Sequence, residues 1–228
     1  MRSVTTSNKR AAEEAWSRGR ATVVAVHGLW MRGVVMKAIL GRLIEPHGFE
    51  VHAFQYPSVR GDLDANAARL ARFVARVPGD TVHLLGHSLG CVVILAMLER
   101  HALERPGRIV CLGPPFAGSV TAERVARLPG GSRVIGRSLR DLLARGGIRP
   151  AAVGRDVGII AGRMPIGLGR LFGSFAGPND GMVAVAETEL EGAVDHIVLP
   201  VAHAALLWSP AVAREVVHFL HAGRFGRT

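Results

Sequence analysis

The sequence of 228 residues lacks most features of a nucleic-acid-binding protein, although its formal net charge is +10. Aromatic residues make up 5% of the chain, and Lys9 and Lys37 are its only lysines, so the positive charge comes almost entirely from arginine. Nucleic-acid-binding modules gather basic residues on one face and often add aromatic side chains that stack on bases. No recognition module of this kind is visible, and we do not expect nucleic acid as a partner.

Cysteine is also scarce, since Cys91 and Cys111 are the only two. Both lie in apolar runs, where a free cysteine typically packs as a small hydrophobic residue, and their spacing does not match a zinc site. The N-terminal residues contain no continuous apolar segment typical of a secretory signal. No run of about 18 apolar residues predicts a membrane span. We therefore expect a soluble, cytoplasmic protein that holds no metal.

Short apolar runs alternate with helix-length segments along the chain. Strands are predicted at residues 21–26, 49–54, 81–85, 108–112, 157–161 and 194–199, and helices at 31–43, 62–77, 89–101, 121–128, 132–144 and 210–221. This alternation favours a three-layer α/β architecture, with helices on both faces of a mostly parallel sheet. We predict a polar lead-in at residues 1–20 and a single domain at 21–228 with a small basic helical cap at about 116–156.

Residues 86–90 carry the most information about function, because they read Gly-His-Ser-Leu-Gly. They follow a predicted strand and precede an apolar helix. A Gly-x-Ser-x-Gly sequence in this position places the serine on a tight strand-to-helix turn, and the glycines let helix and strand approach closely. A serine hydroxyl needs such exposure, and a neighbouring base, to attack a carbonyl carbon. We therefore predict Ser88 as a nucleophile.

The oxyanion formed by such an attack needs N–H donors. The backbone N–H of Leu89 lies at a predicted helix start, where the helix dipole favours negative charge. Position favours the N–H of Leu29, in the loop after the first strand, as the second donor. His27 ends that strand and precedes a glycine, so we expect it to pack and to bond locally.

The base should be one of the ten histidines. His203 follows the last predicted strand and precedes the final helix, which is where hydrolases with this serine turn carry their base. His87 adjoins the nucleophile, but we expect it to point away from it. The remaining histidines considered are in predicted strands or on the last helix, where packing or solvation is expected: His83, His196, His218 and His221.

The acid that orients the base should fall between Ser88 and His203 in sequence. Asp180, in the turn at residues 178–181, is the preferred candidate. Two alternatives remain open. Asp195, at the start of the last strand, is one, and the other is that Asp180 only caps its own turn.

The order Ser88, Asp180, His203 resembles that of the α/β-hydrolase superfamily. The resemblance is to its esterase and lipase branch, particularly bacterial lipase-like and GPI inositol-deacylase-like proteins. The matching motifs span about residues 22–220 and are found at 26–30, 86–90, 112–119, 179–183 and 203. The resemblance implies an α/β-hydrolase fold and cleavage of carboxylic esters or thioesters through an acyl-enzyme, without a cofactor.

The expected substrate is a small-molecule or lipid ester. Its acyl chain is expected to lie against residues close in sequence to the site loops: Trp30, Met31, Phe116, Leu206, Leu207 and Trp208. Because a triad does not choose the acceptor, acyl transfer and amide cleavage are alternatives on the same fold. A catalytically silent relative that binds a ligand is another.

The basic charge is concentrated in residues 116–175, which contain ten arginines and three acidic residues, a net charge of +7. A basic helical face is attracted to anionic interfaces. The segment therefore suggests weak association with an anionic membrane surface, and the alternative is a set of scattered, solvated arginines. The sequence predicts no oligomeric state.

Overall fold

Six strands form one parallel sheet in a computed structural model that describes residues 21–148, 154–167 and 175–227. The strands are β1 (Ala21–Val26), β2 (Phe49–Phe54), β3 (Val82–His87), β4 (Ile109–Leu112), β5 (Val157–Gly162) and β6 (Asp195–Leu199). Their order across the sheet is β2-β1-β3-β4-β5-β6, and every neighbouring pair is parallel. The predicted parallel sheet is confirmed. The predicted lead-in at 1–20 lies outside the described residues.

Six α-helical segments connect or follow these strands in the described ranges, together with short 3-10 turns at Glu45–His47, Val185–Thr188 and Ala204–Leu207. The six segments are α1 (residues 33–44), α2 (Leu63–Arg76), α3 (Leu89–Leu98), α4 (Val120–Ala126), α5 (Gly131–Ala144) and α6 (Pro210–Ala222). In α1 a π-helical stretch, Lys37–Gly41, separates two α-helical turns. No helix in the described part of the chain is long and apolar enough to cross a membrane.

Apolar side chains cover both faces of the sheet. Successive strand residues point to opposite faces, so Val24 and Leu84 join a cluster with α2 and α3. Their neighbours Val23 and Leu85 join a second cluster with α1 and α6. Helices therefore lie on both faces of the sheet, which confirms the three-layer prediction.

Strand β3 extends through Gly86 and His87, two residues beyond the predicted end of the strand. Gly86 pairs with Val26 of β1 and with Cys111 of β4. Backbone pairing does not require a side chain, so the glycine that signals a turn in the sequence still belongs to the strand. Ser88 consequently lies at the carboxyl end of a central strand.

Helices α4 and α5 are the described helices of the predicted basic cap, whose residues 149–153 lie outside the described ranges. Helix α5 contributes Ile135, Leu139 and Leu142 to the cluster that also contains α2 and α3. It bends at Gly136, where φ is 75° and ψ is 175°. A Cβ atom there would come within 2.8 Å of the backbone of Val59, so only glycine allows the helix to pass this loop.

Candidate active site

Ser88 has an unusual backbone conformation, with φ 52° and ψ −122°. A positive φ is costly for any residue with a Cβ atom and persists only where the surroundings impose it. The N–H of Ser88 donates to the carbonyl of Leu112 (2.8 Å), and its carbonyl accepts from the N–H of Cys91 (3.0 Å). These bonds hold the half-buried serine on a sharp turn between β3 and α3.

The two glycines of the motif make this turn sterically feasible. A Cβ atom on Gly86 would lie 2.8 Å from the backbone nitrogen of Cys91 in the first turn of α3. A Cβ atom on Gly90 would overlap the carbonyl oxygen of Val26 in β1. Both close approaches involve backbone that cannot move independently. The spacing of the motif therefore follows from how tightly α3 packs on the sheet.

Asp180 and His203 meet across 23 residues of sequence, with His203 Nδ1 2.7 Å from Asp180 Oδ2. Asp180 is 1% exposed. Its other oxygen, Oδ1, accepts the N–H groups of Met182 (3.0 Å) and Val183 (2.8 Å). Because these donors occupy Oδ1, Oδ2 is directed at the imidazole. The backbone N–H of His203 also donates to the carbonyl of Asp180 (2.9 Å).

The alternative acid, Asp195, lies at the amino end of β6, whereas His203 follows the carboxyl end of that strand. Its Oδ2 accepts the N–H of Phe225 (3.0 Å), and its Oδ1 is 3.2 Å from a guanidinium nitrogen of Arg227. Asp195 thus tethers the C-terminal segment, and Asp180 is the aspartate that contacts His203.

The imidazole of His203 lies close to the chain around Ser88. A Cβ atom on Gly113 would be 3.0 Å from His203 Nδ1 and 3.1 Å from its Cε1. Gly113 directly follows Leu112, whose carbonyl binds the N–H of Ser88. The ring of His203 also packs on that of His87, with 4.8 Å between ring centroids. The sequence motifs therefore converge at the carboxyl ends of β3 and β4.

The loop after β1 adjoins the same turn. A Cβ atom on Gly28 would lie 3.3 Å from the Cβ of Ser88, so this loop passes directly beside the nucleophile candidate. Leu29, whose N–H is the predicted oxyanion donor, is the next residue and is half-buried. The second predicted donor, Leu89, is the first residue of α3. Leu29 therefore follows a glycine that contacts Ser88, and Leu89 follows Ser88 itself.

His27 has local contacts. Its Nδ1 is 2.8 Å from the carbonyl of Gly28, and its ring stacks on Tyr56 with 4.4 Å between centroids. Burial lowers the pKa of His27, against the opposing effect of its bond to Gly28. Other histidines have contacts elsewhere: His83 with the N–H of Arg108, His196 with the hydroxyl of Thr188, and His218 with the carbonyl of Arg224.

The six predicted pocket residues do not share one environment. Trp30 and Trp208 are exposed by 67% and 53%, and Met31 is half-buried. The other three are buried, Phe116 in the cluster with α2 and α3, Leu206 and Leu207 in the cluster with α1 and α6. Leu206 is nonetheless close to the site, since its Cδ1 would be 2.8 Å from a Cβ atom on Gly113.

Two residues near the site were given no role from the sequence, although one of them, Gly113, belongs to the matching motif at 112–119. Gly113 makes room for His203, and only the strand-end position before Pro114 hinted at a special role. Glu187 is buried, and its carboxylate accepts the N–H groups of Val120 (2.6 Å) and Ala184 (2.7 Å). Burial raises the pKa of Glu187, although these two bonds oppose the shift. Glu187 thereby ties the loop that follows Asp180 to the start of α4.

The described ranges contain no group of three histidine, cysteine or acidic side chains arranged to hold a metal ion. The ends of β3 and β4 carry a serine on a strained turn and, near the same turn, a histidine bonded to a buried carboxylate. Such a set of groups suits nucleophilic chemistry at a carbonyl carbon.

Comparison with known proteins identifies the class. The family model described as alpha/beta hydrolase family matches residues 23–223, and the chain belongs to that family. Comparison with curated proteins gave no significant match. The resemblance to the α/β-hydrolase superfamily is confirmed by this family match, and the solved structures that share the fold agree with it.

Three of these structures illustrate the likeness. The mature form of a Bacillus licheniformis lipase has a TM-score of 0.66 and 19% identity, over 83% of this chain and 87% of that one. A metagenomic carboxyl esterase has a TM-score of 0.64 and 20% identity, over 83% of this chain and 66% of its own. A pyrethroid hydrolase from Sphingobium faniae has a TM-score of 0.56 and 20% identity, over 89% and 98%. At these identities the likeness is one of fold.

Proposed function

We propose that this protein is a serine hydrolase that cleaves carboxylic esters, including thioesters, through an acyl-enzyme. The observation that carries the proposal is the 2.7 Å bond between His203 and the buried carboxylate of Asp180, beside the strained turn of Ser88. A carboxylate that accepts from Nδ1 holds the neutral imidazole in the tautomer whose Nε2 has a free lone pair. The proposal adds one contact to those described, a hydrogen bond from Ser88 Oγ to this nitrogen.

In the first half of the reaction, His203 Nε2 removes the proton of Ser88 as Oγ attacks the carbonyl carbon of the ester. The carbonyl oxygen becomes an oxyanion, which the N–H groups of Leu29 and Leu89 stabilise. Collapse of this tetrahedral species breaks the bond to the alcohol or thiol. His203 returns the proton to that leaving group, and the acyl group stays on Ser88.

In the second half, His203 removes a proton from water, and the hydroxide attacks the acyl carbon. Collapse restores Ser88 with the proton from His203 and releases the carboxylic acid. Asp180 stabilises the imidazolium that forms in both halves, and its burial makes this attraction stronger than it would be in water. The strained turn keeps Ser88 at the end of β3 throughout.

The decisive experiment replaces Ser88 with alanine and measures hydrolysis of p-nitrophenyl butyrate. We expect kcat/KM to fall by at least about a thousandfold, because the nucleophile is lost. A fluorophosphonate probe should add its mass to Ser88 in the native chain and to no residue of Ser88→Ala. Ser132→Ala is the matched control, since Ser132 lies in the first turn of α5 and its hydroxyl bonds only weakly to the carbonyl of Ala126, at 3.4 Å.

Retained turnover in Ser88→Ala, or absence of labelling in the native chain, would contradict the proposal. The second outcome would favour a catalytically silent relative. Acyl transfer is separated from hydrolysis by adding a primary alcohol and measuring the ester product. Replacing the ester with the matching anilide tests amide cleavage.

We also propose that the substrate is presented at an anionic lipid surface. Large apolar side chains are exposed in the loops after β1, β5 and β6: Trp30 (67%), Met164 (39%), Ile166 (64%) and Trp208 (53%). Exposed arginines stand close in sequence to such residues, Arg32 to Trp30, Arg163 to Met164, and Arg133 to the exposed Val134. Apolar insertion combined with arginine contacts to phosphate is how peripheral proteins hold an anionic interface.

Vesicle co-sedimentation tests this surface with neutral phosphatidylcholine and with phosphatidylcholine containing phosphatidylglycerol. We expect binding only to the anionic vesicles, weaker as salt is raised, because exposed charges are screened. The double variant Arg133→Gln with Arg163→Gln should bind more weakly and still hydrolyse a soluble ester. Equal binding to neutral vesicles, or none to either, would exclude the interface.

A further inference from the structure

His87 immediately precedes Ser88 in the chain, and its ring contacts that of His203. It is almost entirely buried, with 3% exposure. Its Nε2 is 3.2 Å from the backbone carbonyl oxygen of His203. A carbonyl oxygen can only accept, so Nε2 carries the proton and donates. The other ring nitrogen, Nδ1, is buried without a hydrogen-bond partner in the described structure, and a Cβ atom on Gly28 would be 3.0 Å from it.

The backbone of His203 is therefore held from both sides. Its N–H donates to the carbonyl of Asp180 (2.9 Å), and its carbonyl accepts from His87. If the bond from His87 were lost, the two bonds to Asp180, one from the ring and one from the backbone N–H of His203, would remain of these contacts. Both of these bonds come from the same residue. A residue fixed on one side can pivot, and displacements of about 1 Å at a catalytic group are costly in rate.

We propose that His87 is a positioning residue, which holds the backbone of His203 so that its imidazole faces Ser88. The proposal rests on the proposed function, since it assigns a task within the same site. His87 touches neither the scissile bond nor the moving proton. It acts through the carbonyl of His203 and through the contact between the two rings.

The chemistry of histidine suits this position. Burial, and next the positive charge of His203, lower the pKa of His87 to about 3, although the bond to the His203 carbonyl and the charge of Asp180 oppose the shift. His87 therefore remains neutral wherever esters are normally assayed. A permanently charged donor here would repel the imidazolium that His203 becomes in each half of the reaction.

Three variants separate the donated hydrogen bond from simple packing. His87→Phe keeps a ring without the N–H, and His87→Leu is a second donor-free variant should the first fold poorly. His87→Gln supplies an amide N–H near the place of Nε2. We expect the donor-free variants to lose about tenfold in kcat with little change in KM, and Gln to restore kcat to within about threefold, as the loss of one hydrogen bond predicts.

Circular dichroism and the unfolding midpoint confirm that each variant is folded. Equal activity of His87→Gln and His87→Phe, or a loss confined to KM, would overturn the assignment. A native chain that reacts with fluorophosphonate while His87→Phe keeps full kcat refutes the His87 role alone. Failure of the native chain to react refutes the proposed function itself, so the two failures are distinguishable.

Discussion

Replacing Asp180 with asparagine tests the centre of the proposed mechanism. The carboxylate accepts two backbone N–H groups at Oδ1, from Met182 and Val183. In the variant, the amide oxygen must remain at Oδ1, because an NH₂ group there would face two donors. The amide nitrogen then faces His203 Nδ1. Since that nitrogen donates, Nδ1 must become an acceptor, and the imidazole proton moves to Nε2.

An imidazole protonated at Nε2 cannot remove the proton of Ser88. The same change in a serine protease lowers kcat by about 10⁴ while the geometry is preserved, and we expect a loss of that order here. Stability should change less, because the backbone hydrogen bonds at Oδ1 survive. Replacing one charge-assisted hydrogen bond to His203 should cost about 1.5–3 kcal/mol of unfolding free energy.

The steady-state rate of p-nitrophenyl butyrate hydrolysis gives kcat, and urea titration gives the free energy of unfolding. Asp195→Asn is the matched control: it should leave kcat unchanged, because Asp195 bonds to Phe225 and Arg227 at the other end of β6. A kcat for Asp180→Asn within tenfold of the native value would refute the orienting role. The reasoning would fail equally if Asp195→Asn lost activity to the same extent.

Three further predictions concern stability. In Gly90→Ala the new methyl group would overlap the carbonyl of Val26. We therefore expect the free energy of unfolding, measured by urea titration, to fall by about 3 kcal/mol or more. A loss below about 1 kcal/mol would show that α3 can shift to make room. Trp30 has a φ of 58°, and its indole N–H donates to the carbonyl of Val134 (3.0 Å). Trp30→Phe removes this donor and should lower the free energy of unfolding by about 0.5–1.5 kcal/mol. An unchanged urea midpoint would mean that this bond does not hold the loop. Burial and then nearby positive charges lower the pKa of His83 to about 3. Below its ordinary pKa of about 6.5 the unfolded chain gains a proton that the folded chain does not, so this histidine should cost up to about 1.4 kcal/mol per pH unit between pH 6.5 and 3. His87, whose pKa is lowered in the same way, adds to this slope. Urea titrations at pH 7, 6 and 5 measure the slope, and stability that rises on acidification would contradict the sign.

The predicted β-strands and helices largely agree with the structure because their signals are local. Runs such as Val23–Val26 are too apolar for an exposed position, and helix boundaries are marked by residues that cap them, as Ser209 does for α6. The predicted boundaries differ from those in the structure where the sequence signal is ambiguous. The glycine at 86 indicates a turn in sequence, yet its backbone pairs on both sides within β3.

For the candidate site, sequence order favoured His203 as the base and Asp180 as the acid. It could not exclude Asp195, because both aspartates precede His203 in the chain. Only the structure shows that β6 separates Asp195 from His203. The pocket was the least predictable part. Closeness in sequence to a site loop says nothing about which face of the sheet a side chain covers, and Phe116 and Leu206 lie in different clusters.

The sequence by itself determined the class of fold and the position of Ser88, since strand–turn–helix periodicity and two glycines at fixed spacing are properties of neighbouring residues. Only the tertiary structure decided which carboxylate meets His203, why Gly113 has no side chain, and where the ring of His87 lies. The physical reason is that these contacts join strand ends far apart in sequence. Their distances depend on the packing of the whole sheet, and no local pattern records them.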